Sequence, residues 1–430
     1  MDNTLIQNMK ERFEQLRTPF YYYDTQLLAE TLAAIRRETD RHEGWQLHYA
    51  VKACANPKVL RMIQQAGFGT DCVSGGEIKV CLENGFPAGE IVFAGVGKAD
   101  WEIELALEAG IQYFNVESIP ELEVISDIAQ RMGKVADISL RINPDVEAHT
   151  HAHITTGLAE NKFGIAKEDM MHVIHIAEQL PGVRFVGLHF HIGSQILQMD
   201  DFEALCHRIN ELQEQLDAEG VEVKNINVGG GLGIDYEKPD EHPVPDFKAY
   251  FDTYAKHLKL RPGQRLHFEL GRAVVAQCGS LITRCLYVKE ALSRRFVIVD
   301  AGMTELIRPA LYGAYHHIQN LSKGQRTTDN GQQTTDNGQQ TSDDGQQTSD
   351  DGRRTLVKYD VVGPICESSD IFAKDFPLPE TKRGDILAIR SAGAYGETMA
   401  SQYNCRELPR SYTAEDEAAI LPRQCCSCSH

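Results

Sequence analysis

Positive charge is scarce in this chain. The 43 Lys and Arg are outnumbered by 62 Asp and Glu, a formal net charge of −19. That balance excludes nonspecific binding to nucleic acid or to anionic lipid, because the polyanion would be repelled. No hydrophobic run approaches the length of a transmembrane helix, and the start, MDNTLIQNMKERFEQL, reads as a short polar helix rather than a signal peptide. The 11 cysteines follow no regular framework and are odd in number, which argues against a disulfide scaffold and for reduced, cytoplasmic thiols. The GxGxxG and GxxxxGK[ST] fingerprints are both missing, so neither a Rossmann nor a P-loop site is supported.

What is present is an alternation of strand and helix over residues 46 to about 272. The strand candidates are QLHYAV (46–51), GTDCV (69–73), IVFAG (91–95), YFNVE (113–117), DISLRI (137–142), FVGLHFH (185–191), KNINVGG (224–230) and LHFEL (266–270). Amphipathic stretches of helical period separate them, several ending at Gly. Eight such units predict a (β/α)8 TIM-type barrel, although an open doubly wound sheet alternates similarly. The polar residues add weight to the barrel. Lys52, Asp71, Ser74, Asn143, His191, Ser194, Gly229–Gly231, Glu269 and Arg272 all fall at or just past a strand's C-terminal end, the catalytic face of that fold. After Arg272 the texture turns strand-rich without regular helices, which predicts a C-terminal β-rich domain of sandwich or barrel type. The expected units are an N-terminal segment 1–24 packing on the β domain, a barrel 25–265, a β-rich domain 266–415 and a flexible tail 416–430. Within the β domain, the segment 325–354 holds a polar heptad repeated four times, TTDNGQQ to TSDDGRR. It carries no apolar residue to bury and is expected to be a disordered surface loop. The closing RQCCSCSH reads as an incidental cluster on a frayed end.

Four segments carry chemistry. In HYAVKACANP, Lys52 ends an apolar strand at the barrel mouth, where burial should lower its pKa and free the amine to attack an aldehyde. Taken alone, this segment suits a rim lysine in a salt bridge better. In HFHIGSQI, His191 can stack on a flat ring and Ser194 can bind phosphate; His189 and His191 also form an H-x-H pair, but no acidic third ligand is near and no metal is expected. In NVGGGLGIDY, Gly229, Gly230 and Gly231 let backbone N–H groups approach an anion, as phosphate sites after the seventh and eighth strands of such barrels do. In FELGRAVV, Glu269 can hold a proton on a pyridine nitrogen and Arg272 can clamp a carboxylate. Each is modest singly; together they describe a site for pyridoxal phosphate.

With YAVKAC, DCVSGGE, AHTHAHITTGLAENKFG, HFHIGSQI, GGGLGI, ELGR, DAGMTELIRPALYGAYH, CESSD and GAYG in this order, the chain resembles the diaminopimelate decarboxylases, in the fold-type III, alanine-racemase-like family of pyridoxal phosphate enzymes. The resemblance runs from TPFYYYD (18–24) to YNCRELPRS (403–411), broken by the heptad insert. It implies pyridoxal 5′-phosphate on Lys52, with Asp71, His191, Ser194, Gly229, Gly230, Gly231, Glu269 and Tyr395 around the cofactor. Arg272, Arg308, Tyr312, Glu367 and Tyr395 are implied in substrate binding. Cys366 and Glu367 are implied to reach the site across a homodimer interface, with Cys366 as the acid that reprotonates the α-carbon and Lys52 as its alternative. The implied reaction turns meso-2,6-diaminopimelate into L-lysine and CO2, because a substrate charged at both ends needs both the ESSD acid and the LIRPALYGAYH arginine. Relatives acting on ornithine, arginine or carboxynorspermidine, and a non-catalytic binding protein of the same fold, are the rival readings. The chain departs from the family in ELGR for EPGR and in YNCR for YNSR.

Overall fold

The computed structural model describes residues 12–146, 162–323 and 356–416. The heptad insert, most of AHTHAHITTGLAENKFG, the start of the chain and the cysteine-bearing tail lie outside them.

Each of the eight strands expected from sequence is present. They are β2 (Trp45–Ala50), β3 (Gly69–Cys72), β4 (Ile91–Phe93), β5 (Tyr113–Val116), β6 (Ala136–Asn143), β8 (Val183–His189), β9 (Asn225–Asn227) and β10 (Arg265–Leu270); β1 (Phe20–Tyr23) and β7 (Ile165–Ala166) are short strands outside the ring. Every neighbouring pair is parallel, and β10 pairs with β2 to close the ring. The architecture is a TIM-type barrel. Its last strand falls across the boundary expected at 265/266, since Leu266 lies opposite Trp45 and Leu270 opposite Tyr49. Leu270, where the family pattern has proline, is buried and ends this strand.

The strand sequences explain the orientation of the site. In β10, Phe268 points outward, its ring 4.9 Å from Phe251 and 5.2 Å from Tyr254 of helix α8 (Phe247–His257). Glu269, next in sequence, therefore points into the barrel, because successive strand side chains alternate faces. There it meets Asn115 of β5, Asn227 of β9 and His189 of β8. The outer layer is apolar, while the inner layer carries a set of interlocked polar groups; His48, Asp71 and His267 are likewise buried.

The helices start where their caps predict. Asn56 accepts from Lys58 N–H beside Pro57 at the head of α2 (Pro57–Gln65), and Ser118 accepts from Glu121 N–H at the head of α5 (Ile119–Arg131). Ser74, expected among the catalytic-face residues, caps α3 (Gly75–Glu83) by accepting from Glu77 N–H.

A second sheet of mixed strands holds β11 (Gly279–Glu290), β12 (Arg295–Val299), β13 (Ile318–Asn320), β14 (Leu356–Val362), β15 (Ile371–Pro379) and β16 (Ile386–Ile389) in the order β13-β16-β11-β12-β14-β15. The N-terminal strand β1 (Phe20–Tyr23) pairs antiparallel with β11 and parallel with β17 (Arg410–Thr413). One continuous apolar cluster runs from the barrel helices through Tyr21 and Leu281 into Val297 and Leu387. The sheet is thereby fixed against the barrel mouth, and its loops complete the site.

Candidate active site

A cavity of about 820 Å³ opens at the C-terminal ends of the barrel strands. Lys52, Asp71, His191, Ser194, Glu269, Arg272, Arg308, Tyr312 and Tyr395 all line it. These residues, expected from sequence, thus converge on one place; the glycine run, Cys366 and Glu367 do not line it.

Lys52 sits in a tight turn (Val51–Ala53) directly after β2. Its Nζ lies 3.5 Å from Asp71 Oδ2, and its side chain remains 42% exposed, open to the cavity. Burial alone would lower its pKa, but Asp71, with Tyr395 and Glu269 behind it, raises it instead. The expectation of a depressed lysine pKa is therefore overturned: opposite charge outweighs desolvation here. Burial and the Glu269 carboxylate push Asp71 up to about 8, against the pull of Lys52. Among the described residues, neither Asp71 oxygen has a hydrogen-bond donor, although both are fully buried. A buried carboxylate without donors is costly, so this pair suits a ligand that brings its own.

Glu269 has the opposite environment. Asn227 Nδ2 donates to Oε1 at 2.7 Å, Asn115 Nδ2 to the same oxygen at 3.2 Å, and His189 Nε2 lies 3.0 Å from Oε2. Burial would raise its pKa, but His189 and Lys52 hold it far below the usual carboxylate range. Glu269 is an anion fixed in the barrel mouth. His191 is kept neutral, first by burial and then by the charges of Arg141 and Lys52, and its Nδ1 accepts from Gly230 N–H at 3.3 Å. His189 is thus bound to Glu269 and His191 to Gly230, so the two imidazoles serve separate partners.

At the rim, Arg272 donates to Ser194 Oγ from Nε at 3.2 Å and from Nη2 at 2.9 Å, and to Tyr236 OH at 2.7 Å. Arg308 lies over the Tyr236 ring at 5.0 Å and donates to His316 Nε2 at 2.9 Å. His316 Nδ1 is 2.9 Å from the Arg390 carbonyl, which fixes this tautomer, and burial beside Arg308 lowers its pKa to about 3. Both guanidinium groups are buried, and among the described residues neither has a carboxylate partner. Two cations against one tyrosine ring without an anion make a receptor for one. Tyr395 holds a left-handed φ of 56°, and its N–H donates to Ala53 O at 2.8 Å, pinning the β-sheet loop onto the Lys52 turn. Strain of that kind in a non-glycine residue persists where the surroundings enforce it.

Three of the expected site groups stand apart from the cavity. The glycine run lies behind the lining: Gly229 N–H donates to Asn227 Oδ1 and Gly230 N–H to His191. A Cβ on Gly230 would sit 1.8 Å from the Glu269 carbonyl, and one on Gly229 2.3 Å from Phe190 O, so close backbone packing itself demands glycine here. Cys366 and Glu367 are exposed and outside the cavity of their own chain, with Glu367 Oε1 accepting from Tyr403 OH at 2.6 Å. Sequence reasoning passed over Tyr236, His316, Asn115, Asn227 and Arg141. The signal for the asparagines was a polar side chain at an inward position of an otherwise buried strand.

The donor set fits pyridoxal phosphate. An amine opens to the cavity at Lys52, and a fixed anion suits a ring nitrogen. Asp71 has unmet acceptors, and the paired arginines await an acid group. The comparison with known families agrees: the family described as "Pyridoxal-dependent decarboxylase, pyridoxal binding domain" matches residues 28–276. The chain belongs to the pyridoxal-dependent, fold-type III decarboxylases. A diaminopimelate decarboxylase from Bacteroides thetaiotaomicron is 59% identical over 406 residues, covering 94% of this chain and 98% of the relative. The crystal structure of diaminopimelate decarboxylase from Helicobacter pylori complexed with L-lysine superposes with a TM-score of 0.82 at 37% identity, covering 95% of this chain and 94% of that one. The corresponding M. jannaschii structure with L-lysine gives 0.81 at 33% identity, covering 95% and 90%. Within the class, this chain is a member of the diaminopimelate decarboxylase family.

Proposed function

We propose that the chain decarboxylates meso-2,6-diaminopimelate to L-lysine and CO2, the lysine-forming step of amino-acid biosynthesis, with pyridoxal 5′-phosphate held through the Lys52 amine. The observation that carries this reading is the charge layout of one cavity, with Lys52, Asp71 and Glu269 at its floor and, at its rim, two arginines that have no carboxylate partner among the described residues. When bound, the cofactor supplies an electron sink for the electrons released as CO2 departs. Glu269, anionic and triply hydrogen-bonded, holds a proton at the pyridine nitrogen. His191 offers its neutral ring face to the cofactor, and Ser194 with the glycine turn Gly229–Gly231 holds the phosphate, for which the Gly229 and Gly230 N–H groups must give up their bonds to Asn227 and His191. Asp71 takes the proton that Lys52 must lose before its amine reacts.

Arg272, Arg308 and Tyr312 bind substrate carboxylate, and Tyr395 forms the wall between cofactor and substrate. His316 is a positioning residue, since it keeps the Arg308 guanidinium turned to the cavity. Cys366 and Glu367 act in the neighbouring site of a homodimer: Cys366 gives the α-carbon its proton, and Glu367 meets the distal ammonium. Their exposure and their absence from the lining of their own cavity support that assignment. The acidic net charge supports the absence of nucleic-acid partners. No helix among the described residues is long and apolar enough to cross a membrane. Cys72 and Cys81, unbridged with sulfurs 3.7 Å apart, support a cytoplasmic location.

Borohydride reduction followed by peptide mapping tests the cofactor assignment. A pyridoxyl group on the peptide containing Lys52 is expected; a reduced cofactor on another lysine, or on none, would contradict it.

A further inference from the structure

The outer helical layer carries a second convergence of ligand groups, away from the cavity. Glu203 and His207 stand one turn apart on α7 (Met199–Glu219), and His257 is the last residue of α8. His207 Nε2 lies 3.4 Å and His257 Nδ1 3.3 Å from the same atom, Glu203 Oε1. The two imidazole rings are 5.7 Å apart at 75° to each other, and one ligand atom from each residue falls within a span of 4.8 Å. Around a tetrahedral ion with bonds of about 2.1 Å, neighbouring ligand atoms stand about 3.4 Å apart. Both measured edges have that length without any movement of the side chains.

The scaffold beneath is tied. Asn210 Nδ2 donates to His257 O at 2.8 Å, and Asn210 Oδ1 accepts from Lys259 N–H at 2.9 Å. Gln213 Nε2 donates to Lys259 O at 3.2 Å. These bonds lock the end of α8 to α7, so the ligand geometry belongs to two helices and not to a loop. His257 is 16% exposed and His207 60%, which leaves one side of the triangle open to water as a fourth ligand.

We propose that Glu203, His207 and His257 bind a divalent transition-metal ion of the zinc class, which clips α7 to α8. Two imidazoles and one carboxylate suit zinc, nickel or copper; calcium and magnesium prefer all-oxygen sites. The role is structural, on the flank of the barrel, and takes no part in decarboxylation. Without metal, the same groups form an ordinary ion-pair network on the surface, worth little.

The test uses the full-length, cofactor-loaded enzyme and zinc chloride, comparing wild type with His207→Asn and His257→Asn. The tail's Cys425, Cys426, Cys428 and His430 also offer zinc ligands, so the readout is the difference between proteins. Calorimetric titration should find one zinc equivalent in wild type that is absent, or at least tenfold weaker, in both variants. Zinc should raise the wild-type melting midpoint more than either variant's, with decarboxylase activity unchanged. His207 is exposed enough for its variant to fold, so it carries the test alone if His257→Asn does not. Equal zinc stoichiometry and affinity in wild type and His207→Asn would overturn the site.

Discussion

At Glu269 three donors converge on one buried carboxylate, and His189 with Lys52 outweighs the desolvation that would otherwise neutralise it. An anion at this point stabilises a protonated pyridine nitrogen; a neutral amide does not. Glu269→Gln should therefore lower kcat about a hundredfold while the variant still folds and retains cofactor, as read by CO2 release at saturating substrate and by cofactor absorbance. A variant with wild-type kcat would remove Glu269 from the mechanism. At this scale the sequence was partly legible. Glu269, His191 and Lys52 were visible because they end apolar strands or follow them directly. Their partners were not: Asn115 and Asn227, which hold the Glu269 carboxylate in place, come from strands far away in sequence, and whether Asp71 or desolvation governs Lys52 depends on a distance no spacing reveals. The rim has the same lesson, because Tyr236 and His316 gain their roles only by touching Arg272 and Arg308.

Among the elements, the turn after β9 is the most constrained. Its glycines were read as a cradle for an anion, but the structure adds a steric reason that no motif states, since Gly230 packs against the Glu269 carbonyl itself. Gly230→Ala should destabilise the fold by about 1–3 kcal/mol, seen as a lower denaturation midpoint, and should weaken cofactor retention. Gly89→Ala, where nothing lies within 4 Å of the added methyl, is the near-neutral control. Equal midpoints for the two variants would refute the packing argument. The barrel strands themselves were legible throughout, because parallel strands covered by helices are continuous apolar runs bounded by turn residues. The boundary set at 265/266 failed for a physical reason: the eighth strand belongs to the barrel by its hydrogen bonds to β2, while the change of texture comes only after Arg272.

For the whole molecule, buried histidines set a pH dependence. Burial holds His48 at about 4 and His316 at about 3, against 6.5 in the unfolded chain. Below pH 6.5 the unfolded state takes up protons that the folded state refuses, so stability is lost as pH falls through that window. Wild type should lose stability relative to His316→Gln between pH 7 and pH 4, and a constant difference in melting midpoint would contradict it. The homodimer reading predicts complementation. Lys52→Ala and Cys366→Ala chains, each inactive, should regain activity on mixing, because one site of the mixed dimer is then intact. No recovery after confirmed exchange of chains would place Cys366 in its own chain's chemistry, and an active Cys366→Ala chain would place it outside the reaction. The central claim concerns the substrate, and CO2 release from a panel of amino acids tests it most directly. The account predicts turnover of meso-2,6-diaminopimelate with L-lysine and CO2 in equal amounts, and slower release from ornithine, arginine or carboxynorspermidine; faster release from any of these three would contradict it.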